Sequence, residues 1–125
     1  MKKFLCFLSV MVCLMFTSAC FAATAEEQLK EFKAKSEQGD AEAQFRLGSA
    51  YCQGNYGLSK DVVTGMEWLE KAGLQGHAKA LNLLGNIYYH SLYAVPKDYA
   101  KAKEWYKLGC DQNWQESCDM LDKLK

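Results

Sequence analysis

From residue 41 onward the apolar positions return every three or four residues. Ala43, Leu47 and Tyr51 recur at steps of four and so share one face of a helix. A break at Gly54-Asn55-Tyr56-Gly57 follows. Val62, Val63, Met66, Trp68 and Leu69 then define a second helix, with Ser59 or Asp61 as its N-cap and an end near Gly73 to Gly76. The same events recur further on. Ala80, Leu84 and Tyr88 mark a third helix, and Asp98, just after Pro96, starts a fourth that runs through Ala100, Ala102, Trp105, Tyr106 and Leu108. No stretch alternates apolar and polar residues around a hairpin turn, so the pattern predicts an all-α chain.

The two halves of this pattern coincide at a single offset. Gly39 matches Gly76, Ala43 matches Ala80, Leu47-Gly48 matches Leu84-Gly85, Tyr51 matches Tyr88, Asp61 matches Asp98 and Trp68 matches Trp105, each 37 residues apart. A fixed period over this many positions implies stacked units, none of which buries its apolar face alone.

These residues resemble a known family. A-x-x-x-L-G-x-x-Y, a loop with Gly57-Leu58 or Ala94-Val95, an Asp three residues on, then a Trp and a Lys-rich end look like the Sel1-like repeat, itself similar to tetratricopeptide repeats. The resemblance implies an α-solenoid: antiparallel helix pairs in a right-handed superhelix. Two repeats are flanked by a half unit in front (Glu27 to Gln38) and a closing helix behind (about Trp114 to Leu124). Leu47, Leu84, Trp68, Trp105, Tyr51, Tyr88, Ala43 and Ala80 are then expected to be largely buried. The chain departs from the family at its loops. The first is one residue longer than usual, and the second has Ser91 and Ala94 where the first has Gly54 and Gly57.

The N-terminus changes the picture of where this happens. Lys2 and Lys3 precede an apolar run from Phe4 to Phe16, and small residues follow, the three-part form of a secretory signal. Residues 1–23 are read as a signal peptide, cleaved anywhere from 19 to 25, and residues 24–125 as one repeat domain. Two rivals stand beside this reading: lipidation at Cys20, since Thr17-Ser18-Ala19-Cys20 loosely resembles a lipobox, and an uncleaved anchor of barely sufficient length. The expected location is periplasmic or secreted, or a lipoprotein held at Cys20. The full chain has 15 basic and 15 acidic residues; without Lys2 and Lys3 the remainder carries about −2, with no basic cluster. Nothing here suits a nucleic acid, and no membrane is implied unless Cys20 is lipidated.

Losing the leader also removes Cys6, Cys13 and Cys20, leaving Cys52, Cys110 and Cys118. For Cys110 and Cys118 the spacing alone leaves a metal clip, a redox pair, a catalytic thiol and a structural disulfide open. In an exported protein oxidation is favoured over metallation. The period places Cys110 at the end of one unit's second helix and Cys118 about a turn into the next, within reach across a short turn. The C-x7-C spacing resembles the helicobacter cysteine-rich subfamily of Sel1-like proteins, where it implies a staple between neighbouring helices. Closing nine residues is worth about 2–3 kcal/mol by chain entropy. Cys52 is left over. By helical angle it points away from the Ala43-Leu47-Tyr51 stripe, as an unpaired half-exposed thiol or one that joins two copies in a dimer.

Positions opposite the core stripe of the first helices are Glu42, Phe45, Ser49 and Cys52, and 37 residues on Lys79, Asn82, Asn86 and Tyr89. First helices line the concave side of such solenoids, so these eight are the expected partner-binding surface, with Phe45 and Tyr89 as aromatic anchors. Trp114 and Tyr56 are further surface candidates. His77 is expected to serve at a surface or as a cap, and His90 to suit a helix C-terminus. No metal, cofactor or catalytic motif is present. The expected function is therefore a protein–protein interaction module in the bacterial envelope, with an immunity or chaperone-like role as one version, and not an enzyme. The alternative is a weak β-lactam-binding or β-lactamase-type hydrolase, an activity associated with some cysteine-rich relatives. Against it, the chain has no S-x-x-K, and Ser36, Ser49, Ser59, Ser91 and Ser117 lack an adjacent base in the sequence.

The leader has a direct test. Protein exported from a Gram-negative host should give an intact mass beginning between Ala23 and Glu26; a diacylglyceryl adduct on Cys20 would establish the lipoprotein instead.

Overall fold

Four of the helices start where a side chain satisfies a free backbone N–H. A computed structural model describes residues 24–125, beginning with α1 over residues 24–37. α2 (Ala41–Gln53) is capped by Asp40, which accepts from the Ala43 amide at 2.9 Å. α3 (Val62–Leu74) is capped by Asp61, and α5 (Tyr99–Asp111) by Asp98. α4 (Ala78–His90) uses His77, whose Nδ1 accepts from the Ala80 amide at 3.2 Å. α6 (Gln115–Lys123) follows Trp114, which offers no cap bond. Each carboxylate cap of this kind is worth about 1 kcal/mol. The expected leader, and Cys20 as a candidate for lipidation, lie outside the described residues.

Among the described residues there is no strand. α2 packs on α3 and α4 on α5, the two units, while α3 against α4 and α5 against α6 join the units into an all-α solenoid. The joining core contains Cys52, Leu69, Ala72, Ala80, Leu84 and Ile87, with Phe45, Met66, Leu83 and Trp105 packed around it. Ala43, Leu47, Ala80 and Leu84 are buried, as expected. Tyr51, Tyr88, Trp68 and Trp105 are only half-buried. The outer tryptophans share their faces with solvent, and Lys71 lies 4.2 Å over the Trp68 ring.

The α2/α3 contact is set by two glycines. A Cβ on Gly48 would stand 2.7 Å from the Gly65 carbonyl oxygen, and one on Gly65 would collide with Cys52 Sγ. Backbone therefore approaches backbone, and Cys52 fills the space beside it. This corrects the expectation for Cys52, which is 0% exposed and free. The helical angle that places it away from the Ala43-Leu47-Tyr51 stripe is right, but a second neighbour, α3, covers that side. A thiol enclosed in this way is not presented to a second copy, and burial, with a smaller effect of Asp61, pushes it up to about 11.

The two inter-helix loops keep the same form despite different residues. Gly54 and Gly57 take φ of 73° and 77°, and their counterparts Ser91 and Ala94 take 56° and 62°. Left-handed backbone costs a non-glycine residue about 1–2 kcal/mol. Bonds within and across the loop hold it: Ser91 Oγ donates to the Val95 carbonyl at 2.6 Å, and the Asp98 amide donates to the Tyr88 carbonyl at 3.1 Å. The first loop makes the equivalent bond from Asp61 to Tyr51 at 2.9 Å.

At the end of the stack Cys110 and Cys118 are disulfide-bonded, with Cα atoms 4.6 Å apart. α6 is short, and Ser117 is its buried residue.

Two outcomes follow from the cysteines. At pH 8 Cys52 should resist iodoacetamide in the native protein and react fully in denaturant; rapid native labelling would show that α3 does not cover it. A non-reduced digest should contain the linked Cys110–Cys118 peptides, and reduction should lower Tm by roughly 10–20 °C, as loss of about 2–3 kcal/mol requires for a domain this size.

A groove across the first helices

The capping column of the repeat determines one wall of the candidate site. Asp40, His77 and Trp114 are equivalent by the 37-residue period, each after a residue of positive φ: Gly39, Gly76 and Asn113. Replacing the carboxylate with rings changes what the column does. The His77 ring stacks on Phe45 of α2, with centroids 4.8 Å apart, and its Nε2 meets Glu42 Oε2 at 2.7 Å. Because Nδ1 accepts from the Ala80 amide, Nε2 carries the proton donated to Glu42. That bond first, then one from Arg46 at 2.8 Å, holds the Glu42 carboxyl below its ordinary range.

Beyond this stack lies a cavity of about 210 Å³, walled by Phe45 of α2, by Lys79, Asn82, Leu83 and Asn86 of α4, and by Trp114 and Glu116 at the start of α6. Lys79 also reaches over the Phe45 ring at 5.3 Å. Asn82 is only 5% exposed, and its Oδ1 accepts from Ser117 Oγ at 2.9 Å. Asn86 Oδ1 accepts from the Tyr106 hydroxyl at 2.6 Å. Both hydroxyl residues are 0% exposed. Two glycines admit them: a Cβ on Gly85 would lie 2.5 Å from the Tyr106 ring, and one on Gly109 would lie 2.5 Å from Ser117 Oγ. Burial first, then the neighbouring Tyr89 and Glu116, raises the Tyr106 hydroxyl pKa, so it stays a donor. Trp114 Nε1 is buried without a hydrogen-bond partner.

Of the eight side chains expected on the binding surface, the structure brings four together here: Phe45, Lys79, Asn82 and Asn86. The others are elsewhere. Glu42 is tied to His77 and Arg46 and faces a larger cleft of about 440 Å³ toward α1, with Phe32 and Tyr56. Ser49 is half-buried away from the cavity wall, and Cys52 is in the core. Tyr89 packs against Tyr99 and Tyr106, with ring centroids 5.3 and 6.3 Å away, because Tyr106 takes the place that Leu69 has in the first unit. Phe45 packs on His77 and not on Tyr56, whose ring meets Phe32. Leu83 and Glu116 are additions. Glu116 was within reach of the sequence, being one further period beyond Glu42 and Lys79. Among the described residues no cluster of His, Cys, Asp and Glu could hold a metal, and no helix is long and apolar enough to cross a membrane.

Comparison with known proteins gives the fold its relatives. The chain is 40% identical over 72 residues to the secretory immunoglobulin A-binding protein EsiB of Escherichia coli O6:H1, a match spanning 58% of this chain and 14% of that protein. Among solved structures it is similar to a protective antigen of uropathogenic Escherichia coli with an SLR fold (TM-score 0.68, 38% identity, 74% of this chain and 20% of that one). It is also similar to a Sel1 repeat protein from Oxalobacter formigenes (TM-score 0.72, 26% identity, 78% and 39%). The chain thus spans less than half the length of these relatives. The Sel1 repeat pattern matches residues 41–77 and 78–114, the two units seen in the fold, and the chain belongs to the Sel1 repeat family.

Proposed function

We propose that the chain is an exported protein-binding module of the bacterial envelope, which holds a protein partner in the groove across α2, α4 and α6. One observation carries the reading: three successive first helices contribute to a single cavity whose walls pair apolar surface (Phe45, Leu83, Trp114) with amides and one charge of each sign. Aromatic anchors with adaptable polar neighbours are what protein interfaces favour. A relative named for binding secretory immunoglobulin A supports a protein as the class of partner. The leader-like N-terminus supports export, and an immunity or chaperone-like role is one form that such binding would take. The hydrolase alternative has little to work with. The hydroxyls of Ser36, Ser91 and Ser117 are committed to Phe32 O, Val95 O and Asn82 Oδ1. A nucleophile needs a base beside it, and these three serve the fold.

The test is in-cell crosslinking of the tagged full chain. Lys79→Glu and Phe45→Ala should each cut the yield of the crosslinked partner several-fold. Glu67→Lys, on an exposed position of α3, should leave it unchanged. Lys79→Glu should hold Tm, since exposed substitutions cost no more than about 0.5 kcal/mol. Equal capture by all three variants would move the binding surface off the groove.

A further inference from the structure

Asn82 and Asn86 stand one helical turn apart on α4, and each has its carbonyl oxygen drawn inward by a buried hydroxyl. An amide so held presents its –NH2 to the other side, which is the groove. The polar groups that line the cavity from α4 are then all donors: Lys79 Nζ and the two amides. Acceptors enter only through Glu116, on the opposite wall.

The spacing of the amides selects the ligand. Four residues of helix rise about 6 Å. In an extended chain the carbonyls on one edge recur every second residue, about 6.4–6.8 Å apart. A strand lying along α4 therefore offers alternate carbonyls in step with Asn82 and Asn86. Its i and i+2 side chains point the same way, so one can reach Lys79 while the next enters between Phe45, Leu83 and Trp114. The cavity, at about 210 Å³, is smaller than the roughly 300–1,000 Å³ of small-molecule sites. It suits a chain that continues past both ends.

Resting on the groove reading above, we propose that the site binds an extended polypeptide segment through its backbone carbonyls. Asn82 and Asn86 are the donors, an acidic side chain pairs with Lys79, and an apolar side chain two residues on fills the Phe45–Leu83–Trp114 wall. Glu116 repels an acid on the far side and so orders the segment. Ser117 and Tyr106 are positioning residues: they never touch the ligand, and they fix which end of each amide faces it.

The experiment uses the ¹⁵N-labelled, disulfide-intact protein after export and a pool of N-acetylated, C-amidated hexapeptides sharing an Asp-x-Leu core, at low millimolar concentration. The side-chain –NH2 signals of Asn82 and Asn86 and the Trp114 indole signal should shift saturably. Asn86→Asp, which swaps a donor for an acceptor at constant shape, should weaken the pool about tenfold or more. Tyr106→Phe should weaken it several-fold and broaden the Asn86 –NH2 signal before any peptide is added, a change that loss of stability alone would not produce. Lys79→Gln should abolish the preference for Asp over Asn in the core and leave Tm unchanged. No shift at this concentration overturns the proposal, and so does unaltered binding by both Asn86→Asp and Lys79→Gln. Binding confined to free-carboxylate versions also overturns it, because the groove would then read a terminal anion. If any of these occurs while groove variants still lose the crosslinked partner, the carbonyl reading fails and the protein-binding module stands. Shifts confined to α3 and α5 would remove both.

Discussion

A helix covered on two sides keeps only a narrow strip for anything else, and this constraint shapes the whole chain. α4 packs against α3 before it and α5 after it, and it touches α6 as well. Ala80, Leu81, Leu84, Gly85 and Ile87 are spent on those contacts. What remains open is the line through Lys79, Asn82, Leu83 and Asn86, and even there Asn82 is nearly enclosed. The groove is the part of the first helices that the stack does not consume. Its width follows from how closely the helices approach, which the small residues at Gly48, Gly65, Gly85 and Gly109 allow.

The same closeness explains why the units differ inside while matching in outline. In the first, Gly65 leaves room for Cys52, and Leu69 covers Gly48. In the second, Ala102 stands at the place of Gly65 and Tyr106 at that of Leu69. The larger ring lies over Gly85 and carries a hydroxyl far enough to reach Asn86. A core substitution of Leu by Tyr thus exports a hydrogen bond to the groove. Interiors packed at crystal-like density transmit such changes in size instead of absorbing them.

α6 meets a different problem: among the described residues it packs on α5 and only touches α4. The Trp114 side chain makes no capping bond to the helix, and little of α6 is buried. The disulfide to Cys110 and the Ser117 bond to Asn82 supply what burial does not. Both matter beyond stability, because Trp114 and Glu116 form one wall of the groove. The staple between α5 and α6 is also the support of that wall.

Much of this was legible in the residues as a string. The period, the caps at Asp61 and Asp98, the buried Ala43, Leu47, Ala80 and Leu84, and the groove positions Phe45, Lys79, Asn82 and Asn86 all follow from local spacing and one repeat offset, because helix formation and capping depend on near neighbours in sequence. Cys52 and Tyr89 did not follow. A helical wheel knows one buried stripe, whereas the second comes from a partner helix whose approach depends on Gly65 or Ala102. Nor could the wheel orient an amide: Asn86 is held by Tyr106, 20 residues on, and Asn82 by Ser117, 35 residues on. The sequence by itself determined the helices, their ends and the stacking of two like units. Only the tertiary structure decided which side chains opposite the core stripe stay open and which way their polar atoms point, because those are contacts between distant residues that exist only once the helices have packed.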